Sequence, residues 1–199
     1  MFDQGLDLCR ASGNRVSLLA MVAGLGHAYA LQGRLTEGRA LVEEAISAGI
    51  RTGALGHHSG RVTWLSEVCR LAGRDDEAWQ HARQALDLAQ QQKARGDEAH
   101  ALHQLGTVYA HAAPPDVAQA EAHYREALTL ANELGMRPLV AHCHRGLGTL
   151  YATVGQWEQA RAVLTTAIEL YRAMDMTFWL PQTEAALAQV EASSAPPAG

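Results

Sequence analysis

Histidine offers the most chemistry in this chain, with ten in 199 residues. His100 and His103 stand one helical turn apart, and His142 follows further along the chain. Helices packed roughly 8–10 Å apart could bring all three onto a divalent zinc or nickel ion, or onto an anionic group. No carboxylate falls at a spacing that would orient such ligands, so solvated histidines are the plainer reading and no metal is assigned. Cys9, Cys69 and Cys143 are an odd number at wide spacing without a CxxC pair, which suggests neither a disulfide framework nor a cysteine zinc site. The pairs Gly24-Leu25-Gly26 and Gly146-Leu147-Gly148 resemble the start of a dinucleotide loop but lack its third glycine. A Walker loop, an HExxH helix and a GxSxG elbow are all missing. No catalytic residue, no cofactor and no enzymatic activity are expected.

The elements that would carry these side chains follow from a repeat. Four segments align without gaps, ending at Gly26, Ser66, Gly106 and Gly148. The period is forty residues, and the last step is forty-two because of an insertion around Pro114 and Pro115. Three residues beyond each small residue stands Tyr29, Cys69, Tyr109 or Tyr151. Small residues recur again at Gly38, Ala78, Ala120 and Ala160, then at Ala45, Ala85, Ala127 and Ala167. Apolar residues such as Leu18, Val22, Leu25 and Tyr29 keep the helical spacing, and nothing alternates as a strand does. A repeat of this length implies small units that stack to bury their faces. Thirty-seven alanines against eleven aromatic residues call for close helix packing. Gly33, Gly73 and Gly155 sit where paired helices must reverse, and Asp75, followed by Asp76 and Glu77, is an acidic start that caps exposed N–H groups and suits the positive end of the helix dipole.

The spacing predicts repeats at 14–49, 53–93, 95–134 and 137–174, preceded by a half-repeat at 2–11 and closed by a capping helix at 178–193. All of this forms one domain over 1–192, and 194–199 reads as a disordered tail. Phe2, Gly5, Leu6 and Leu8 align with Tyr124, Ala127, Leu128 and Leu130, so the chain begins as though cut from a longer array.

These columns resemble the tetratricopeptide repeat family. Its Leu-Gly-x-x-Tyr core is matched by Leu25-Gly26-His27-Ala28-Tyr29, by Leu105 to Tyr109 and by Leu147 to Tyr151, while repeat two departs with Leu65-Ser66-Glu67-Val68-Cys69. The opening of the family's second helix is matched best by Gly155-Gln156-Trp157-Glu158-Gln159-Ala160. Two departures are the longer period and the missing closing proline. Long repeats of this type resemble kinesin light chains and the sensor regions of bacterial ATP-dependent regulators. The resemblance implies an all-α fold, a right-handed α-α superhelix of antiparallel helix pairs. It also implies a non-catalytic scaffold that binds a peptide or partner segment in a concave groove. The alternative is an effector-sensing or self-association segment of a multidomain signalling ATPase, cyclase or transcription regulator. By alignment the groove candidates are Trp64, Glu67, Arg70, His100, His103, His111, His142 and Arg145. Trp64 could anchor a ligand or pack between repeats, and His144 reads as a core histidine.

Sixteen basic residues against twenty-one acidic ones give a net charge of -5, without the basic stripe that nucleic acid requires. No apolar run reaches membrane-spanning length, and the unpaired cysteines fit a reducing cytoplasm. A protein or peptide partner is therefore expected, with no nucleic acid and no membrane. Homo-oligomerisation through an open N-terminal face at Phe2 and Leu6 is a further expectation. An acidic partner near His100, His142 and Arg145 would bind more tightly as pH falls toward roughly 6.5.

Overall fold

The computed structural model describes residues 13–194. The predicted half-repeat at 2–11, the apolar face at Phe2 and Leu6, and the tail beyond Ser194 lie outside the described residues. Nine helices occur among the described residues, and none of these residues is in a strand. They are α1 (Arg15–Leu31), α2 (Leu35–Thr52), α3 (His58–Leu71), α4 (Asp75–Gln91), α5 (Arg95–His111), α6 (Val117–Glu133), α7 (Arg137–Thr153), α8 (Trp157–Ala173) and α9 (Leu180–Ser194). Ser194, which the sequence assigns to the tail, is the last residue of α9.

Local chemistry sets the ends of these helices. Asn14 accepts the Ser17 amide at 3.1 Å ahead of α1, and Asp116 accepts the Gln119 amide at 3.1 Å ahead of α6. Gly33, Gly73 and Gly155 take φ of 83°, 69° and 76°, the left-handed turn that reverses the chain between paired helices. Two local expectations are corrected. Asp75 is the first residue of α4 rather than its cap, and Arg74 holds the cap position without a capping hydrogen bond from its side chain, so Asp75, Asp76 and Glu77 act through the helix dipole. The helix of repeat two begins at His58 rather than at 53. Gly53 ends α2 in the left-handed region, and His57 (φ 55°) starts α3 from the same region. The carbonyls of Ala54 and Gly56 in this turn accept the Arg61 guanidinium at 3.1 and 2.8 Å. Arg61 is 1% exposed, and its burial lowers its pKa, while Asp97 opposes the shift.

The chain divides into two compact units, residues 1–104 and 105–199. In the first, α1 packs on α2 and α3, α2 on α3, and α3 on α4. In the second, α7 packs on α6, α8 and α9, and α8 on α9. The core of the second unit gathers Tyr124, Leu147, Leu150, Tyr151, Leu164 and Val190, with Trp157 packed at its edge. Trp79 is 43% exposed, because it follows the buried Ala78 and turns away from the column that Ala78 occupies.

Small residues set the closeness of each pair. A Cβ on Gly26 would lie 2.6 Å from the Gly38 carbonyl oxygen, and one on Gly38 would lie 2.5 Å from that of Gly26. Ser66 replaces this glycine in α3, and its hydroxyl donates to the Ala78 carbonyl at 2.6 Å. In the second unit a Cβ on Gly148 would meet Leu164 at 2.5 Å. Replacing Gly26 with Ala should therefore cost about 2 kcal/mol by overpacking, more than the roughly 1 kcal/mol that alanine returns in helix propensity. Gly96, also helical, has nothing within 4 Å of a new Cβ, so Gly96→Ala should raise stability by a few tenths of a kcal/mol. Opposite signs for the two variants in urea unfolding would verify this account; equal signs would refute it.

Candidate functional site

In the first unit the candidate residues gather on the α3 face that meets α1. Trp64 and Glu67 are one turn apart on α3, and each takes a partner from His27 of α1. The Trp64 and His27 rings stack with centroids 5.7 Å apart and planes 9° from parallel. His27 Nε2 lies 2.7 Å from Glu67 Oε2 and donates to it. Burial alone would raise the Glu67 carboxyl. The His27 hydrogen bond, aided by the charges of His27, Arg70 and His103, overrides that and brings it down to about 2. Arg70 is half-buried, with its Nε unmatched by any hydrogen-bond acceptor. Trp64 therefore packs between successive first helices on one side while remaining half-exposed on the other.

His103 is half-buried on α5. His100 is exposed, yet desolvation by neighbouring protein atoms lowers its pKa below the ordinary 6.5, while Asp97 and Glu67 pull the other way. Any gain in anion affinity from protonating His100 thus sets in at lower pH than the unperturbed histidine value suggests.

In the second unit His142 and Arg145 lie one turn apart on α7. His142 Nδ1 is 2.7 Å from the Tyr171 hydroxyl of α8, and its ring meets Trp179 edge-on at 5.1 Å. The Arg145 guanidinium lies over the Trp179 ring, 4.6 Å from its centroid. Burial pushes the Tyr171 hydroxyl up to about 12, against the pull of the neighbouring Arg145. His111 turns back on its own helix, its Nδ1 2.9 Å from the Thr107 carbonyl, so its Nδ1–H donates there. His144 is half-buried, and desolvation lowers its pKa. No contact joins its Nδ1 to a hydrogen-bond partner.

Sequence reasoning did not single out Trp179, Tyr171 or His27, which contact the candidate residues. For His27 the signal was present, since it lies forty residues before Glu67 and so occupies the same column one repeat earlier. Trp179 precedes α9, outside the four aligned repeats, and no column could have placed it.

The fold is all-α and of the helix-pair solenoid class. Residues 116–173 match the tetratricopeptide repeat family model. No curated protein matches the sequence significantly. Among solved structures, the chain is similar to BtubC (BKLC) of P. vanneervenii, with TM-score 0.70 and 18% identity over 97% of this chain and 81% of that one. It is also similar to a signal transduction ATPase with numerous domains that has a tetratricopeptide repeat sensor, from Pyrococcus horikoshii. There the TM-score is 0.67 at 14% identity, over 92% of this chain but only 28% of that one. Kinesin light chain nearly identical TPR-like repeats from Podosopora anserina match with TM-score 0.58 and 17% identity, over 88% of this chain and 94% of that one. Identities this low carry the fold alone. Arrays of this class stack their repeats and expose an extended binding surface.

The His27 and Glu67 side chains are only 19% and 25% exposed, so solvent screens their bond only modestly. A carboxylate depressed in the fold stabilises it above the unfolded pKa and loses that contribution as pH falls through the folded value. Glu67→Gln should therefore be less stable than wild type by on the order of 2 kcal/mol near neutral pH. The difference should shrink as pH falls from the ordinary 4.5 toward about 2, as read by thermal melts across that range. A pH-independent difference would contradict the assignment.

Proposed function

We propose that this chain is a non-catalytic protein-interaction scaffold that binds an acidic peptide or partner segment through its first-helix surfaces. The observation that carries this reading is the stack of Arg145 on Trp179, with His142 beside it. An aromatic face that supports a cation offers a carboxylate a charged partner and an apolar side chain a flat surface, without first ordering a long side chain. Trp64, braced by His27, supplies a second aromatic surface in the first unit, with Arg70 further along α3 and His103 on α5. The match of residues 116–173 to a repeat family supports a protein partner over a small substrate.

The net charge of -5 argues against nucleic acid. No helix among the described residues is long and apolar enough to cross a membrane. Cys69 and Cys143 are buried free thiols, which supports a reducing, cytoplasmic setting. A second reading, a sensor or self-association segment within a larger bacterial signalling ATPase or regulator, is favoured by the likeness to the Pyrococcus protein, of which the chain spans 28%.

Selection of a displayed random-peptide library on the whole chain tests the first reading. Acidic segments should be enriched, and Arg145→Ala should weaken them about tenfold, in keeping with loss of a partly buried charge contact. Arg83→Ala, which removes an exposed charge on α4, should leave affinity within about twofold. Selected peptides that bind equally well to the Arg145→Ala and Trp64→Ala variants would overturn it. Concentration-dependent sedimentation without peptide binding would favour self-association instead.

A further inference from the structure

The second repeat carries three side chains with metal-ligating atoms at positions that the fold brings together, and one of the three departs from its neighbours. Cys69 of α3 stands where the other repeats carry Tyr29, Tyr109 and Tyr151. Glu77 and His81 lie four residues apart on α4, one above the other on a single helix face. One ligand atom from each, the Cys69 sulfur, a Glu77 carboxylate oxygen and a His81 ring nitrogen, lies within 4.8 Å of the other two. The corresponding columns of the third repeat hold Tyr109 and His123, whose rings stack at 5.5 Å, so contact between these columns belongs to the repeat geometry.

We propose that Cys69, Glu77 and His81 form a binding site for a divalent zinc-type ion, with water in the fourth position. A soft thiolate, an imidazole and a carboxylate are the donor set that suits this ion. Tetrahedral bonds of about 2.0–2.3 Å place ligand atoms roughly 3.4–3.8 Å apart, so closure needs side-chain shifts of about an ångström. The thiol gives up its proton to solvent as the sulfur binds. A ring bound through Nε2 would keep its Nδ1–H toward Gln84 Oε1, 3.5 Å away, the type of outer partner that orients a ligating histidine.

Arg39 of α2 is the group the ion must displace. Its Nη2 donates to Glu77 Oε2 at 3.0 Å, and its Nε donates to Glu43 Oε1 at 2.7 Å. Arg74 contacts the other Glu77 oxygen. The Arg39 Nη1 is buried without an acceptor, so the guanidinium fits this place imperfectly. Its bond to Glu43 holds it nearby when Glu77 turns to the metal. The cluster thus already places a cation beside the carboxylate and the thiol, and a divalent ion would replace it with direct bonds to all three donors.

Cobalt(II) titration of the whole chain, with competition by zinc, tests the site. A thiolate-to-cobalt charge-transfer band should appear, saturate at one equivalent and be erased by zinc. It should persist in a Cys9→Ser, Cys143→Ser double variant and vanish in Cys69→Ser. His81→Ala should weaken zinc by about tenfold or more while the helical circular dichroism is unchanged. Arg39→Met should tighten zinc by about threefold or more, because the competing cation is gone. The absence of a thiolate band in wild type, or its survival in Cys69→Ser, overturns the proposal. If Cys69→Ser fails to fold, unchanged zinc affinity in both His81→Ala and Arg39→Met overturns it as well.

Discussion

Two helices can approach this closely only where one of them gives up a side chain, and that concession recurs in every pair. Between α1 and α2 both partners concede, since each glycine carbonyl occupies the space that a Cβ on the other would need. Between α3 and α4 the concession is partial, and the Ser66 hydroxyl turns the approach into a hydrogen bond to Ala78. Gly106 of α5 instead admits the Tyr124 ring of α6, where a Cβ would lie 2.7 Å from that ring, and Gly148 of α7 admits Leu164 of α8. The partners differ in size, yet the position in the repeat is constant. Close backbone approach multiplies weak dispersion contacts, which lets a core with few aromatic residues hold together.

Fixing the approach within a pair also fixes which residues meet across successive units. In the first unit polar contacts recur at a constant separation of thirty-eight residues, from Arg39 to Glu77, Ser59 to Asp97 and Ser66 to Gln104. His27 and Glu67, forty apart, add a contact between equivalent positions. Buried polar contacts of this type add little net stability over well-packed apolar groups, but breaking one partner is costly. A slip of one residue along any helix would break several at once. They hold the register of one repeat on the next while the small residues hold the distance.

Much of this was legible in the sequence because it depends on one repeating backbone contact. Gly33, Gly73 and Gly155 occupy the turns their spacing indicates. The start of α3 was hidden because residues 55–57 align with helical positions of the other repeats. Only the buried Arg61, which binds two carbonyls of that turn, explains why the chain leaves the helix there. The candidate side chains were legible as columns but not as partners. Alignment put Trp64 and Glu67 on one face, yet did not say that one residue, His27, engages both. Trp179 lies beyond the repeating part, so its contacts with His142 and Arg145 required coordinates.

The partnered state of these residues bears on how such a surface selects a ligand. A long charged side chain that waves in solvent must be ordered when it binds, and that entropy is lost from the affinity. Glu67 is already held ionised by His27, and Arg145 is already laid on Trp179, so each arrives ordered. A ligand that keeps those contacts and adds its own gains the full value of each new bond. One that must break them first leaves a half-buried charge without its partner and loses accordingly. On the proposed function, discrimination would therefore rest as much on the contacts that a wrong ligand disrupts as on those that a right one makes.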